Sequence, residues 1–324
     1  MLRVGVIGVG SMGQNHARIY SEMGCLVGVH DVFPDSAEKV AKKLGTAAYP
    51  DVASLIGKVD ALSVCTPTDH HYEVAVQAIE QGCSVLVEKP FTGEVAKARA
   101  LCELAERKGV ALASGFVERF NPVVAATREA IASNRFGQVV SIASRRVSSF
   151  PARIRDVGVI MDLAIHDVDV IRHLTGRTVT SVYALGGKMA NDRFEDHATL
   201  LLEIAGGSTG MVEVNWLTPM KVRKVTLTCS NGLAEMDYID QGLKFSTARM
   251  ENVDLANLSS IPMELDAHHI LVKKEEPLKR ELRSFLRAAE SSTRPECDGW
   301  NAVENIAVCS AALASMAKGC RVSV

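Results

Sequence analysis

The stretch Val4-Gly5-Val6-Ile7-Gly8-Val9-Gly10-Ser11-Met12-Gly13 decides the fold. Val4–Ile7 is a short apolar run of strand type, and the residues after Gly10 carry helical periodicity. Between them lies G-x-G-x-x-G at Gly8, Gly10 and Gly13. In a strand–turn–helix unit that binds a dinucleotide, each glycine has its own task. The first makes a tight turn, the second lets the backbone approach a pyrophosphate, and the third permits close packing of helix on strand. Ser11 and Met12 open the helix, whose first N–H groups and partial positive charge hold an anion. Asp31 follows the second strand-like run, 18 residues beyond Gly13. That is near the spacing of about 20 at which a carboxylate takes a ribose hydroxyl. Such a carboxylate accepts from a 2′-hydroxyl and repels a 2′-phosphate. Val32 and Phe33 add no arginine, so the pattern favours NAD over NADP. The competing reading is a plain turn and a helix-capping aspartate in an α/β domain that binds nothing.

The same grammar continues outward. Leu26–His30, Ala61–Cys65, Val85–Glu88 and Ala111–Ser114 read as further strands, with helical stretches near 11–23, 35–44, 71–82 and 93–108. Apolar strands alternating with helices predict a doubly wound parallel sheet of Rossmann type over residues 1–118. From 119 to 324 the pattern changes. A helix is expected from Asn121-Pro122 to about Asn134, a strand at Val139–Val147, and one long helix from Gly158 to about Leu174. Five or six strands then follow between Thr178 and Phe245, before closing helices at about Pro277–Glu290 and Asn301–Lys318. That order predicts an α+β domain with a large, mostly antiparallel sheet, suited to binding substrate and to oligomerisation.

Composition narrows the function class. With 47% hydrophobic and 23% charged residues and a formal charge of −2, the 324-residue chain has no footprint for nucleic acid or an anionic membrane. No apolar run approaches the ~18 residues that span a bilayer. The eight cysteines are scattered without a C-x-x-C pair, and several sit in apolar segments, which favours reduced thiols and a cytoplasmic protein. No Cys or second His lies at zinc-ligand spacing around His166, so no metal is expected.

Several residues stand where parallel sheets bind ligands, at the carboxyl ends of strands. Thr66-Pro67 and Lys89-Pro90 are two such sites; Lys89 reads either as a residue at the nicotinamide end or as a solvated loop cation. His70 and His71 begin a helix, as cap or surface pair or as ligands. In the second half, Asp162 and His166 are four apart in a helix and share a face, with Asp169 near the same stripe. An imidazole there can accept a hydroxyl proton while a carboxylate orients the alcohol. An ordinary helix pair, or a satisfied core histidine, would look the same in sequence.

Taken together, these blocks resemble the glucose–fructose oxidoreductase / inositol dehydrogenase (Gfo/Idh/MocA) family. The resemblance runs through Gly8–Gly13, Cys65-Thr66-Pro67 with His71, Glu88-Lys89-Pro90, Arg119-Phe120-Asn121-Pro122, and Asp162 to Asp169. It implies a dehydrogenase in which Lys89, Asp162 and His166 contact the reacting hydroxyl, with a cis proline at Pro90. It implies cofactor contacts at Gly8, Gly10, Ser11, Met12, Gly13, Asp31, Thr66, Pro67, His71, Glu88 and Lys89, and a substrate contact at Asn121. The family often has three glycines before the catalytic helix; Asp156-Val157-Gly158 here departs from that, which bears on specificity.

The segment Ser144–Val147 and Phe150–Val159 resembles the branch of this family that acts on UDP-N-acetylglucosamine at its 3-hydroxyl. Arg145, Arg146, Arg153 and Arg155 fall within eleven positions and could clamp a diphosphate, or lie on a solvated edge. Arg145 and Arg146 must point to opposite faces of a regular strand, so Arg153 and Arg155 are the preferred substrate contacts. The rival readings are an inositol or free-sugar dehydrogenase, and a non-catalytic NAD-binding regulator. A homodimer or homotetramer is expected, because one face of the large sheet should be open and apolar. Val214, Trp216 and Leu202 are the candidates for that face.

Overall fold

Five short apolar runs, covered on both sides, and a two-residue edge strand assemble the first sheet of the computed structural model, which describes residues 2–150, 157–190, 192–250 and 263–324. Its strands are β1 (Val4–Ile7), β2 (Leu26–His30), β3 (Ala47–Ala48), β4 (Ala61–Val64), β5 (Ser84–Glu88) and β6 (Leu112–Gly115). They pair in parallel in the order β3-β2-β1-β4-β5-β6. This is a Rossmann sheet, with its order reversing between β1 and β4, and such a switch point opens a crevice at the strands' carboxyl ends. Helices α1 (Ser11–Glu22), α2 (Pro34–Leu44), α3 (Val52–Ile56), α4 (His71–Glu80) and α5 (Val95–Lys108) make the connections. The sequence pattern missed only β3 and α3, which are too short to show a period.

The chain forms two compact units. Among the described residues, the first holds 2–120 and 276–307, and the second holds 121–150, 157–190, 192–250, 263–275 and 308–324. A single cut at 118 therefore does not describe the first unit, because α8 (Pro277–Ser291) returns to it. The cause is apolar: Leu278, Leu282 and Phe285 on one face of α8 join the core made by Val4, Ile19, Tyr20 and Leu86. Burying three such side chains is worth about 1.5–3 kcal/mol each.

The second unit is built on a nine-stranded sheet. Its strands are β7 (Val139–Ser149), β8 (Val179–Gly187), β9 (His197–Ile204), β10 (Thr209–Asn215), β11 (Leu217–Cys229), β12 (Gly232–Asp237), β13 (Gly242–Met250), β14 (Met263–Ile270) and β15 (Val322–Ser323). The order is β14-β13-β12-β11-β7-β10-β9-β8-β15, antiparallel except for β7 beside β10. Helix α6 (Pro122–Ala132) packs on β12 and β13, and α7 (Ile165–Thr175) on β7 and β10. The long helix expected from Gly158 divides: Ile160–Ala164 is a π turn, and α7 follows it. The shared face of Asp162 and His166 assumes a regular α-helix, so the wider turn changes their phase.

One expectation about the sheet is overturned. Val214, Trp216 and Leu202 are not on an open face; they are 1%, 2% and 2% exposed. The open face carries the alternate set, Leu185, Leu201 and Met211. Register places Leu201 opposite both Tyr183 and Met211, and Met211 opposite Ala143, so an apolar row crosses four strands. Side chains alternate between the faces of a strand, so burial of Leu202 and Val214 leaves the alternate residues Leu201 and Met211 outward.

Candidate active site

In the first unit the three glycines do three different things. Gly8 ends β1 at φ +85°, and a Cβ there would stand 2.7–2.8 Å from the Cys65 carbonyl group and Thr66 N. Only glycine takes that conformation at that approach. A Cβ on Gly13 would overlap the Gly8 carbonyl oxygen, so this glycine is needed for α1 to pack on the β1 turn. Gly10, which caps α1, would meet nothing within 4 Å. The fold itself leaves Gly10 free to change, so its missing side chain is space kept open at a helix N-terminus.

That space belongs to a cavity of about 740 Å³ lined by Gly8, Val9, Gly10, Asp31, Thr66 and Pro67, together with Val32, Phe33 and His70. Asp31 closes the loop: Oδ2 accepts the Val9 N–H at 2.8 Å and Oδ1 accepts the Phe33 N–H at 3.0 Å. Val32 and Phe33 are 78% and 69% exposed, an apolar wall too wet to be structural and suited to the flat face of a base. The Thr66 hydroxyl is buried and has no hydrogen-bond partner, as expected of a group that meets a ligand. The free helix N–H groups, the open side of Gly10, the carboxylate and the orphan hydroxyl fit a dinucleotide.

Other sequence-selected residues stand behind this wall rather than on it. The His71 ring is 1% exposed, with Nδ1 at 2.8 Å from the Pro90 carbonyl and Nε2 at 2.8 Å from the Thr66 carbonyl. It ties the loop after β4 to the loop after β5, and burial pushes its pKa below the ordinary value despite both carbonyls. Glu88 is likewise buried. Its Oε2 accepts the Lys89 N–H at 3.1 Å and its Oε1 lies 2.9 Å from His16 Nε2. Burial alone would raise the Glu88 carboxyl; the hydrogen bond and charge of His16 outweigh it and hold the group below the usual carboxylate range. His16 Nδ1 meets Ser63 Oγ at 3.0 Å, and Tyr20 meets the same hydroxyl at 2.9 Å. This buried network fixes the residue before Lys89, and the Lys89–Pro90 bond is cis, as the resemblance implied.

In the second unit, Asp162 and His166 are 5% and 8% exposed on the π turn and the first turn of α7. The sequence did not reveal what holds that helix. Asp167 is fully buried and receives two hydrogen bonds from Arg146, Nε to Oδ2 at 2.7 Å and Nη2 to Oδ1 at 3.2 Å. The Arg146 guanidinium also lies 4.9 Å from the Tyr238 ring centroid, and the Tyr238 hydroxyl donates to Asp167 Oδ1 at 3.5 Å. Arg146 is thus an anchor of α7 and not a phosphate clamp. Its neighbour Arg145 points the other way and pairs with Glu213 at 3.1 Å. Asn121 is 2% exposed; it accepts the Val123 N–H as the cap of α6 and donates to the Tyr238 carbonyl at 3.0 Å. Arg153 and Arg155 lie outside the described residues. No group of three His, Cys, Asp or Glu side chains among the described residues could hold a metal ion, and no helix there is long and apolar enough to cross a membrane.

Comparison with known proteins gives a consistent picture. Residues 2–116 match the model of the Gfo/Idh/MocA oxidoreductase family, NAD-binding Rossmann fold, and residues 124–235 match the Gfo/Idh/MocA C-terminal domain. UDP-N-acetylglucosamine 3-dehydrogenase of Acidithiobacillus ferrooxidans is 32% identical over 298 residues, 92% of each chain. Its solved structure superposes with a TM-score of 0.87 at 30% identity, covering 97% of both chains. Inositol 2-dehydrogenase of Rhizobium meliloti is 26% identical over 335 residues, covering 100% of this chain and 99% of that one. A levoglucosan dehydrogenase solved with NADH and levoglucosan shares the fold, with a TM-score of 0.86 at 20% identity, covering 100% and 99% of the two chains.

Proposed function

Since this chain belongs to the Gfo/Idh/MocA family of NAD-binding oxidoreductases and is a dehydrogenase of that family, we propose that it oxidises the 3-hydroxyl of UDP-N-acetylglucosamine. The observation that carries the reading is the buried Asp162–His166 pair on a helix anchored by its own ion pair, in a chain whose other unit holds a dinucleotide cavity. The cavity lined by Gly8, Gly10, Asp31 and Thr66 would hold NAD, which would supply the acceptor for the hydride of the alcohol carbon. The His166 imidazole takes the hydroxyl proton as the C–H bond breaks, so the alcohol leaves as a ketone with charge and atoms balanced. Asp162 orients the hydroxyl towards that nitrogen, and the Lys89 ammonium lowers the cost of developing negative charge on the oxygen. Burial of both second-unit groups keeps water from competing for the proton.

The choice of a nucleotide sugar is supported by the relative at 32% identity, and the choice of NAD by Asp31. We assign the diphosphate to Arg153 and Arg155, because Arg146 is committed to Asp167 and Arg145 to Glu213. Inositol oxidation is the second reading, favoured by the full-length relative that is an inositol 2-dehydrogenase. We also propose that a second copy of this chain covers the row Tyr183, Leu201, Met211 and Ala143. That row is flanked by the charged pair Arg145–Glu213 and lies over a groove of about 550 Å³, the arrangement of an apolar interface with a polar rim. Eight free thiols, six of them buried, support a reducing, cytoplasmic setting.

The test is double replacement, Lys89→Ala with His166→Ala, in protein shown to be folded and to bind NAD. Turnover is expected to fall by at least ~10²-fold, the usual worth of a positioned acid or base. Retention of turnover would remove these residues from the mechanism.

A further inference from the structure

A Cβ on Gly158 would overlap the carboxyl group of Glu195, which reaches it from just before β9, 37 positions further along the chain. Glu195 is 7% exposed, and it makes two contacts with the front of the helical segment that carries Asp162 and His166. Its side-chain Oε1 accepts the Ile160 N–H at 3.1 Å, and its backbone carbonyl accepts the Val159 N–H at 3.0 Å. Gly158 in turn offers its carbonyl to the Asp162 N–H at 3.0 Å. One buried acid therefore touches three successive residues, and the first of them, Gly158, lies one turn before Asp162 and accepts its N–H.

We infer that Glu195 is a positioning residue for the reaction, setting where Asp162 and His166 stand by docking onto Gly158, Val159 and Ile160; this rests on the roles proposed above for Asp162 and His166. The physical reason lies in the π turn. Ile160–Ala164 makes a wider turn than an α-helix and leaves its first N–H groups without partners inside the helix. A segment without a local cap is free to slide between α and π registers, and each register points Asp162 differently. Glu195 supplies that cap from another part of the chain. Burial raises its carboxyl above the ordinary range, and the Ile160 N–H acts in the opposite direction. The next residue is pinned independently: Asp196 Oδ2 accepts the N–H groups of Met189 at 2.8 Å and Ala190 at 2.6 Å. The Trp216 N–H donates to the Asp196 carbonyl at 2.9 Å, so the loop bearing Glu195 is a fixed platform. Gly158 belongs to the same device, because any other residue there would displace the carboxylate.

The experiment compares Glu195→Ala, Glu195→Asp, Glu195→Gln and Gly158→Ala with the wild-type full chain. Amide hydrogen exchange is measured over 158–170, beside NAD affinity and steady-state turnover of UDP-N-acetylglucosamine or myo-inositol, whichever the wild type oxidises. Glu195→Gln keeps an oxygen acceptor at full reach and is expected to retain protection and kcat within about threefold. Glu195→Ala, Glu195→Asp, which is one methylene short, and Gly158→Ala should lose protection at Val159 to Asp162. Their kcat should fall ~10- to 100-fold, the cost of a misplacement near 1 Å, with NAD affinity unchanged. A merely structural role predicts a lower unfolding midpoint but normal kcat per folded molecule, and normal exchange at these amides. That result in Glu195→Ala, or in Glu195→Asp if the alanine variant does not fold, overturns the inference. Asp162→Asn and His166→Gln run alongside: if they keep full turnover, it is the proposed reaction that fails, whereas their loss with an unaffected Glu195→Ala sinks only the positioning role.

Discussion

Replacing Arg146 by Ala should destabilise the second unit far more than removing a surface charge. Arg146 is 2% exposed and Asp167 fully buried, joined by hydrogen bonds of 2.7 and 3.2 Å. Without the guanidinium, Asp167 keeps the Tyr238 hydroxyl at 3.5 Å, a poor contact for a buried carboxylate, and Tyr238 loses the cation above its ring. Breaking a buried pair from one side costs about 3–5 kcal/mol, because the surviving charge is left desolvated. At ~2–4 °C per kcal/mol for a domain of this size, the unfolding midpoint should fall by ~6–20 °C. Arg145→Ala breaks only the exposed Arg145–Glu213 pair and should cost under ~1 kcal/mol. Arg146→Met with Asp167→Leu removes both charges and should recover most of the loss. Urea unfolding can be followed by the fluorescence of buried Trp216, in a Trp300→Phe background that silences the other indole. If Arg146→Ala lies within about 1 kcal/mol of the wild type, the pair is not the anchor of α7 described above.

Other expectations follow from the same contacts. Gly10→Ala should leave the unfolding midpoint within ~2 °C of wild type, since its Cβ meets nothing, yet weaken NAD binding at least ~10-fold; Gly13→Ala should lose stability as well as binding. Calorimetry and NAD titration separate the two. Asp31→Ala should weaken NAD without a matching gain for NADP, because the same carboxylate holds the Val9 and Phe33 N–H groups; equal affinity for both cofactors would show that Asp31 acts only on the ribose. For His71 the sign comes from a pKa depressed by burial. The unfolded chain takes up the proton more readily, so stability is lost as pH falls below the ordinary value of about 6.5. Acid unfolding of His71→Asn should be less steep through that region, and an unchanged slope would contradict the assignment.

Much of the first unit was legible because its signals are local. The runs Val4–Ile7 and Leu26–His30, the glycines of the first turn and Asp31 all lie within one strand–helix–strand unit, and each has a steric or electrostatic reason that needs no distant partner. The second unit was legible only in part. Alternation along β9 and β10 divides Leu200 and Leu202 from Leu201 but does not say which set is covered, so the expectation that Val214, Trp216 and Leu202 lie on the open face fails. That choice depends on where α6 and α7 land. Asp162 and His166 could be selected by spacing, whereas Asp167, their neighbour, gave no sign that Arg146 would meet it from β7. Glu195 is the plainest case: nothing near it in sequence marks a residue whose partner is a glycine 37 positions earlier. The return of α8 to the first unit was hidden for the same reason, since an amphipathic helix states that it packs but not on what.

The most direct test of the central claim is NADH formation by the purified full chain, with UDP-N-acetylglucosamine, free N-acetylglucosamine and myo-inositol offered in turn. The account predicts turnover with the UDP-sugar, lost in His166→Ala, and at least ~10-fold weaker use of the free sugar, because the diphosphate contacts are charge-assisted. Turnover confined to myo-inositol would keep the chemistry of Lys89, Asp162 and His166 but remove the diphosphate site at Arg153 and Arg155. NAD binding without turnover of any of the three would contradict the proposed reaction.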